Sequence, residues 1–236
     1  MRIGDRRLVR LVQGWAFCAG LALAGFMASA QAAEKAATTW RETVRAFAAE
    51  HFRHPAWGYS HSVRDYELAT DLAREDHVTV DDDVLYAAAY LHDMAAFAPW
   101  DREKEGIDHA DEAARIVDAV LKGTGFPMDK IDKVRNAIRT HMFDRVPAGP
   151  EAVYLHDADA LDWLGAIGAA RVIALVDPNG GDPDGPRAVK MLDDNLASVP
   201  RGIVSAAARR RAPALEAELR NFLENLRRET DALRTL

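Results

Sequence analysis

The sequence predicts an all-α fold, and three observations support that prediction. Apolar residues recur at helical spacing along 33–236, and Pro and Gly separate the periodic segments. Runs in which apolar and polar residues alternate are too short to predict strands. The length after the first 32 residues suits one domain with a sizeable core. We therefore expect residues 33–236 to form a single helical domain.

Residues 1–32 differ from the rest of the chain and have the order of features of an export signal. Arginines at the start precede an apolar stretch over 11–28, and small residues then follow in the A-x-A pattern of a cleavage site. We expect cleavage after Ala30 or Ala32, a periplasmic or secreted protein, and no stable membrane insertion after cleavage. The alternative is a retained anchor, since about 18 apolar residues just span a bilayer.

The mature chain would be acidic and free of cysteine. Residues 1–32 carry a net charge of +3 and the whole chain −7, so 33–236 carry −10. This charge disfavours nucleic acid as a partner, because it repels phosphate backbones. The single cysteine, Cys18, lies in the predicted signal, so any metal ion must be held by His and carboxylates.

Eight helices are predicted after the signal. Pro213 is expected to break the last one. Apolar residues at helical spacing within 200–236 predict a C-terminal helix that docks on the body of the domain or on a second copy, and the oligomeric state is left open. The predicted ranges are 35–52, 60–75, 82–95, 107–121, 128–142, 151–175, 185–198 and 202–234.

The third predicted helix is the most apolar and leads into two adjacent polar residues. Acidic residues at 81–83 supply its cap, and 84–91 is wholly apolar. His92 and Asp93 follow. Burial of an imidazole and a carboxylate costs free energy unless they are paired. A divalent metal ion would satisfy both, and so would a His–Asp hydrogen bond.

Further histidines lie near the ends of neighbouring predicted helices. His61 opens the second helix, His109 the fourth, and His141 closes the fifth, while His156 stands in an acidic run at the start of the sixth. A single histidine at a helix end is more often a cap or a core residue than a ligand. One near an end of each successive helix is instead the pattern expected of a shared site.

The order of these motifs resembles that of the HD-domain superfamily of metal-dependent phosphohydrolases. H-x-x-R stands at 61–64, the His-Asp pair at 92–93 and A-D-x-L at 158–161, and the run 157–171 is similar to small bacterial HD hydrolases that act on nucleotides. The resemblance extends to about residue 175. It implies an HD-domain helical bundle around one metal ion bound by His61, His92, Asp93 and Asp159.

The resemblance leaves two ligand questions open. Asp157 is an alternative to Asp159, because the two carboxylates point about 200° apart around a helix and only one can face the site. The A-D-x-L register favours Asp159. His109 and His141 stand in the order found in HD members with two metal ions, where the aspartate of the His-Asp pair bridges. Alternatively, these two histidines bind the substrate's phosphate or orient ligands.

The implied activity is hydrolysis of a phosphoester or phosphoanhydride by metal-activated water. The substrate would be a small phosphorylated molecule, and nucleotides are one candidate class of substrate. The cofactor would be one or two divalent ions of Mn, Mg, Zn, Co or Fe, and His92 and Asp93 would be catalytic. Some relatives carry a further acidic residue after the His-Asp pair. Residues 94–100 contain none, so no general acid is assigned.

Arg64 and Arg171 are the predicted substrate-binding residues. An acidic protein needs local positive charge to hold a phosphate, and the planar guanidinium binds phosphate oxygens bidentately. The alternative is that both arginines pair with a helix carboxylate such as Asp157 or Asp162.

Two other function classes stay open. An HD-type di-iron oxygenase uses the same six-ligand order, and a metal-stabilised binding protein would keep the fold without catalysis. The complete ligand set disfavours the binding protein, because purely structural metal ions seldom keep an open coordination position. Metal content separates these classes, since two irons indicate the oxygenase and no metal the binding protein.

The predicted export signal has a direct test. Tagged full-length protein should be recovered in the periplasmic fraction, shortened by about 30–32 residues, because signal peptidase removes the apolar segment. Mass spectrometry of the intact purified protein measures the new N-terminus. Recovery of the full-length chain in the membrane fraction would instead identify the segment as an anchor.

Overall fold

Helices account for the regular secondary structure of the computed structural model, which describes residues 39–236 and has no strand in that range. The all-α prediction is confirmed. The predicted signal, 1–32, lies outside the described residues. No helix within 39–236 is long and apolar enough to cross a membrane. The helices are α1 (Trp40–His51), α2 (Tyr59–Glu75), α3 (Asp82–Leu91), α4 (His109–Leu121), α5 (Ile131–Arg139), α6 (Pro150–Asp162), α7 (Gly165–Ile173), α8 (Gly185–Gly202) and α9 (Ala206–Glu229).

Helix α3 is the centre of the bundle. Every residue from Val84 to Leu91 is buried, and α3 packs against α1, α2, α5 and α6. The Asp81 side chain caps the helix by accepting a hydrogen bond from the backbone N–H of Asp83. The helix ends at Leu91, four residues earlier than predicted, because the chain turns at His92 and Asp93 into a short 3₁₀ segment.

The predicted helix 151–175 is two helices, α6 and α7, with a break at Trp163 and Leu164. Gly165 has a φ of +59°, a conformation that L side chains rarely adopt, so the chain changes direction there. Gly168 then lies against the Trp163 backbone, where an added Cβ would come within 2.2 Å of the carbonyl oxygen. Periodicity alone did not reveal this break, because apolar residues continue through it.

The C-terminal helix α9 packs on α7, α8 and α6, with Leu219 and Leu223 buried. The expectation that Pro213 breaks this helix was wrong, since α9 is continuous from Ala206 to Glu229. Proline removes one backbone hydrogen bond from a helix. Pro213 is exposed, so water can satisfy the carbonyl that loses its partner.

Substitution of Gly168 by Ala should destabilise the fold. The added methyl group would overlap the Trp163 carbonyl, and neither helix can move without disturbing the packing around it. We expect a loss of at least about 2 kcal/mol in the free energy of unfolding, measured by urea denaturation. Ala166→Ser, at an exposed position of the same helix, is the control and should change stability little. Equal stabilities for the two variants would contradict this description of the α6–α7 junction.

Candidate metal centre

Five helices place histidine and aspartate side chains at one buried point of the bundle. Helix α2 contributes the first histidine, the end of α3 the His-Asp pair and α6 the second aspartate, while the start of α4 and the end of α5 each add a histidine. The structure brings together all six residues predicted as metal ligands, namely His61, His92, Asp93, His109, His141 and Asp159.

The first group of ligands surrounds His61. Its Nε2 atom lies 3.2 Å from His92 Nε2 and 3.3 Å from Asp159 Oδ1. Asp93 Oδ2 is 3.7 Å from His61 Nε2 and 3.4 Å from His92 Nε2. All four side chains are buried. Their nitrogen and oxygen atoms therefore converge on one largely buried volume.

The second group lies on the other side of Asp93. The Oδ1 atom of Asp93 is 3.4 Å from His109 Nε2 and 3.5 Å from His141 Nε2. The two oxygens of one carboxylate thus face two different sets of histidines. This arrangement suits a carboxylate that bridges two metal ions.

The hydrogen bonds of three imidazoles direct their Nε2 lone pairs into the centre. The Nδ1 atom of His92 lies 2.9 Å from the Ala89 carbonyl oxygen, and that of His141 lies 2.6 Å from the Ile138 carbonyl oxygen. His61 Nδ1 lies 2.8 Å from a carboxylate oxygen of Asp162. Because these oxygens only accept, each Nδ1 must donate, and a neutral ring then presents an unprotonated Nε2.

While the rings are neutral, these nitrogen lone pairs and the carboxylate oxygens cannot form hydrogen bonds with one another, because all of them are acceptors. In neutral rings the Nε2 atoms of His61 and His92 are both acceptors, although they lie only 3.2 Å apart. His141 Nε2 is buried and has no hydrogen-bond partner among the residues that the structure describes. Buried acceptors without donors carry a large desolvation cost. A cation at this point would satisfy them, so the residues present fit a divalent metal ion.

Asp65 is a member of this centre that the sequence analysis missed. It lies one turn after His61 on α2 and is fully buried. Its Oδ2 is 3.1 Å from His61 Nε2 and 3.6 Å from His92 Nε2, and neither carboxylate oxygen has a hydrogen-bond partner within residues 39–236. The i,i+4 spacing of His61 and Asp65 on one helical face is the sequence signal that could have found it.

The charges around the centre shift its titrating groups. Burial opposes ionisation of Asp93, yet the neighbouring imidazoles, His92 first, hold the pKa of its carboxyl well below the usual range. Burial also disfavours a charged His61, but the Asp65 carboxylate raises the pKa of His61 to about 10. Without a metal ion the His61–Asp65 pair therefore retains a proton. A metal ion must displace that proton, so metal affinity should rise with pH.

Arg64 and Arg171, the predicted substrate-binding residues, both pair with a carboxylate of α6. Both bind Asp162, with Arg64 Nε and Nη2 at 2.8 and 2.7 Å and Arg171 Nη1 at 2.9 Å from its carboxylate oxygens. Arg171 is buried, and its guanidinium lies 3.7 Å from the centroid of the Trp163 ring. Pairing with a helix carboxylate, the alternative interpretation, describes both residues.

Asp162 also accepts a hydrogen bond from His61 Nδ1. The two arginines therefore affect the centre indirectly, by stabilising the carboxylate that orients His61. Burial opposes ionisation of Asp162, but hydrogen bonds from Arg64 and His61 hold the pKa of its carboxyl well below the usual range. An ionised Asp162 keeps the proton of His61 on Nδ1 and fixes the orientation of the ring.

Asp157 points away from the centre. Its carboxylate accepts hydrogen bonds from the backbone N–H groups of Val204 and Ser205, at 2.9 and 2.6 Å, just before α9 begins. Asp159, on another face of α6, reaches His61. The structure thus brings Asp159, and not Asp157, to the other candidate ligands, while Asp157 fixes the backbone at the start of α9.

A cavity of about 690 Å³ adjoins the centre. Asp93, His109, His141 and Asp159 line it, so the ligands are reachable from this side. The rest of the lining combines aromatic and acidic side chains, and among the described lining residues none is Lys or Arg. Its aromatic and acidic members include Trp57, Phe143, Trp163, Asp101, Glu103 and Asp108.

Comparison with known proteins gives one family and several related structures. Residues 58–164 match the HD domain family. A predicted HD superfamily hydrolase from an uncultured Thermotogales bacterium is 30% identical, over 69% of this chain and 86% of that one, with a TM-score of 0.46. An HD-superfamily hydrolase from Bacillus thuringiensis is 22% identical, over 74% and 86%, with a TM-score of 0.52.

A further solved structure, Bacillus subtilis YpgQ in complex with ADP, is 18% identical over 80% of this chain and 97% of that one, with a TM-score of 0.60. No curated protein sequence matches the chain closely enough to be recognised as a relative. The matched family range contains the six predicted ligands as well as Asp65 and Asp162.

The two neighbouring aspartates of α6 should behave in opposite ways. Asp159→Ala should reduce metal binding sharply with little loss of stability in the metal-free protein, because it removes a ligand. Asp157→Ala should retain metal but lose about 3 kcal/mol of unfolding free energy, because a buried and a part-buried backbone N–H group lose their acceptor. Metal content after gel filtration and urea unfolding measure the two effects. Loss of metal from a folded Asp157→Ala protein would contradict the assignment.

Proposed function

Because the chain belongs to the HD-domain family, we propose that it is a metal-dependent hydrolase that cleaves a phosphoester or phosphoanhydride bond. The observation that carries this proposal is the convergence of imidazole Nε2 atoms and carboxylates on one buried point beside an accessible cavity. A bound divalent ion supplies Lewis-acid stabilisation of charge on a phosphoryl group and lowers the pKa of water.

We propose two ions, one for each oxygen of Asp93. His61, His92 and Asp159 would hold the first ion with Asp93 Oδ2, and His109 and His141 the second with Asp93 Oδ1. Asp93 would then be the residue on which both sites depend. The identity of the metal is left to experiment among Mn, Mg, Zn, Co and Fe.

The chain's own residues orient this centre and exclude water from its inner side. The carbonyl oxygens of Ala89 and Ile138 fix the rings of His92 and His141, and Asp162 fixes that of His61. His92 is fully buried, which keeps it neutral because burial lowers the pKa of its imidazole. A neutral ring is the form that binds a metal ion.

We propose a small phosphorylated substrate, whose phosphoryl group would reach the metal ions through the cavity. Its described lining has no basic side chain, so the metal ions would have to neutralise the phosphate charge. Trp57, Phe143 and Trp163 offer flat apolar surfaces for an organic group. The ADP complex of the similar fold of YpgQ makes nucleotides the first substrate class to test. The net negative charge supports no role with nucleic acid.

We also propose that the protein acts after export, in the periplasm or outside the cell. This proposal rests on the order of features in residues 1–32.

A di-iron oxygenase is the second candidate, because the same six ligands with a shared aspartate would suit two irons. Two tightly bound irons, without phosphatase activity in any metal, would favour it. The non-catalytic alternative is less well supported, since a purely structural metal site would not need a cavity at its ligands.

A screen of the purified mature protein against phosphomonoesters, phosphodiesters and nucleotides with each of the five metals tests the function. We expect hydrolysis that chelation abolishes and metal restores. No hydrolysis in any metal would contradict the proposal.

His141→Ala tests the second ion. Bound metal should fall from two equivalents towards one, and kcat should fall at least about a hundredfold, since the second ion stabilises charge in the transition state. His77→Asn, at an exposed histidine outside the centre, is the control and should keep both values. One equivalent in both wild type and His141→Ala would end the two-ion proposal. Unchanged metal with a raised KM would indicate that His141 binds substrate instead.

A further inference from the structure

We propose that Asp65 is an additional ligand of the first ion, which gives that site two imidazoles and three carboxylates. The inference rests on the proposed function, because it assumes that the centre binds metal. Asp65 Oδ2 lies 3.1 Å from His61 Nε2 and 3.6 Å from His92 Nε2. With His61, His92 and Asp159, Asp65 forms a group whose candidate ligand atoms all lie within 4.8 Å of one another.

The burial of Asp65 is the first argument. Its exposed fraction is 0%, and neither oxygen accepts a hydrogen bond in the described part of the chain. Buried carboxylates elsewhere in the same bundle do have donors. Asp157 accepts two backbone N–H groups, and Asp162 accepts three N–H groups from arginines. Asp65 has neither backbone N–H nor arginine donors, and it faces two imidazole Nε2 atoms. This is the environment of a metal ligand.

The position of Asp65 relative to the cavity is the second argument. Asp93 and Asp159 line the cavity, whereas Asp65, His61 and His92 do not. Asp65 therefore lies on the inner side of the centre, where neither substrate nor bulk water reaches it. This position suits a ligand and does not suit a general acid or base, which must reach the reacting group.

The three carboxylates determine which metal ions the site should prefer. Carboxylate oxygen suits Mn²⁺ and Mg²⁺, whereas Zn²⁺ is usually four-coordinate with nitrogen or sulfur ligands. His61, His92, Asp93 and Asp159 already provide four ligands. Zn²⁺ should therefore need Asp65 less than Mn²⁺ does, and loss of Asp65 should weaken Mn²⁺ binding more than Zn²⁺ binding.

A purely structural role for Asp65 makes a different prediction. In that case the carboxylate only pairs with a protonated His61, which would stabilise the metal-free fold. Removal of Asp65 would then lower the melting temperature of the metal-free protein without changing metal binding. For a ligand, removal should weaken metal binding whatever it does to the metal-free melting temperature, because the bound ion loses a carboxylate oxygen.

The test uses Asp65→Val and Asp65→Asn in the mature protein. A chelator first removes bound metal, and calorimetry then measures the Kd for Mn²⁺ and the Kd for Zn²⁺ in separate titrations. We expect the Kd for Mn²⁺ to rise at least about tenfold and that for Zn²⁺ to rise less. The visible absorption of the Co²⁺ form should also change, because the ion loses a carboxylate. Asp157→Asn, at a buried aspartate outside the centre, is the matched control and should retain the wild-type Mn²⁺ affinity and Co²⁺ absorption.

The outcomes separate this inference from the proposed function. If the wild-type protein binds no divalent ion, both are overturned. If the wild type binds metal and hydrolyses substrate but the Asp65 variants keep its Mn²⁺ affinity and Co²⁺ absorption, only the role of Asp65 as a ligand is overturned. A lower metal-free melting temperature with unchanged Mn²⁺ affinity overturns it in the same way. Should Asp65→Val fail to fold, the nearly isosteric Asp65→Asn decides the question.

Discussion

The crowding of hydrogen-bond acceptors at one buried point is the constraint on which the rest of the structure depends. Three carboxylates and the Nε2 atoms of the histidines face one another at 3–4 Å, away from bulk water. Such an arrangement is costly unless a cation, either a proton or a metal ion, lies among them. The bundle must therefore be stable enough elsewhere to hold these groups together, and the buried apolar residues of α3 contribute to that stability.

Two histidines of the centre lie at helix ends, where each donates a hydrogen bond to a backbone carbonyl oxygen. His92 and His141 each follow shortly after the last residue of a helix, and each directs Nδ1 to the carbonyl oxygen three residues earlier. Carbonyls in the last turn of a helix have no partner within the helix. The same local geometry therefore gives a carbonyl of the last helical turn a side-chain donor, fixes the tautomer of the ring and directs Nε2 towards the candidate metal position, and it occurs twice in the chain.

Charge is distributed between an inner and an outer layer. The inner layer contains the carboxyl groups of Asp65, Asp93 and Asp159, which a bound cation would stabilise. In the outer layer, Arg64 and Arg171 surround Asp162, so the positive charge of the region stabilises the carboxylate behind His61 and does not face the cavity. This division explains why arginines close to the motif are not among the residues that line the cavity.

The sequence by itself determined the helical class and the identity of the six candidate ligands. Helical periodicity is local, so neighbouring residues were enough to predict the helical class. The six candidate ligands followed from the order of short motifs, which resembles that of the HD-domain superfamily. Other features depend on contacts between residues far apart in the chain. Asp162 and His61 are 101 positions apart, so no local pattern could show that Asp162 holds this ring and both arginines.

Only the tertiary structure decided which helical faces meet. Asp65 stands between Arg64 and Tyr66, where an aspartate usually marks an exposed helical face, and its burial depends on how α2 packs against α3 and α6. The choice between Asp157 and Asp159 depends on the rotation of α6 about its axis. A single sequence gives the spacing of residues around a helix. The direction in which that helix faces is decided by packing against its neighbours, because packing buries one face and leaves another exposed.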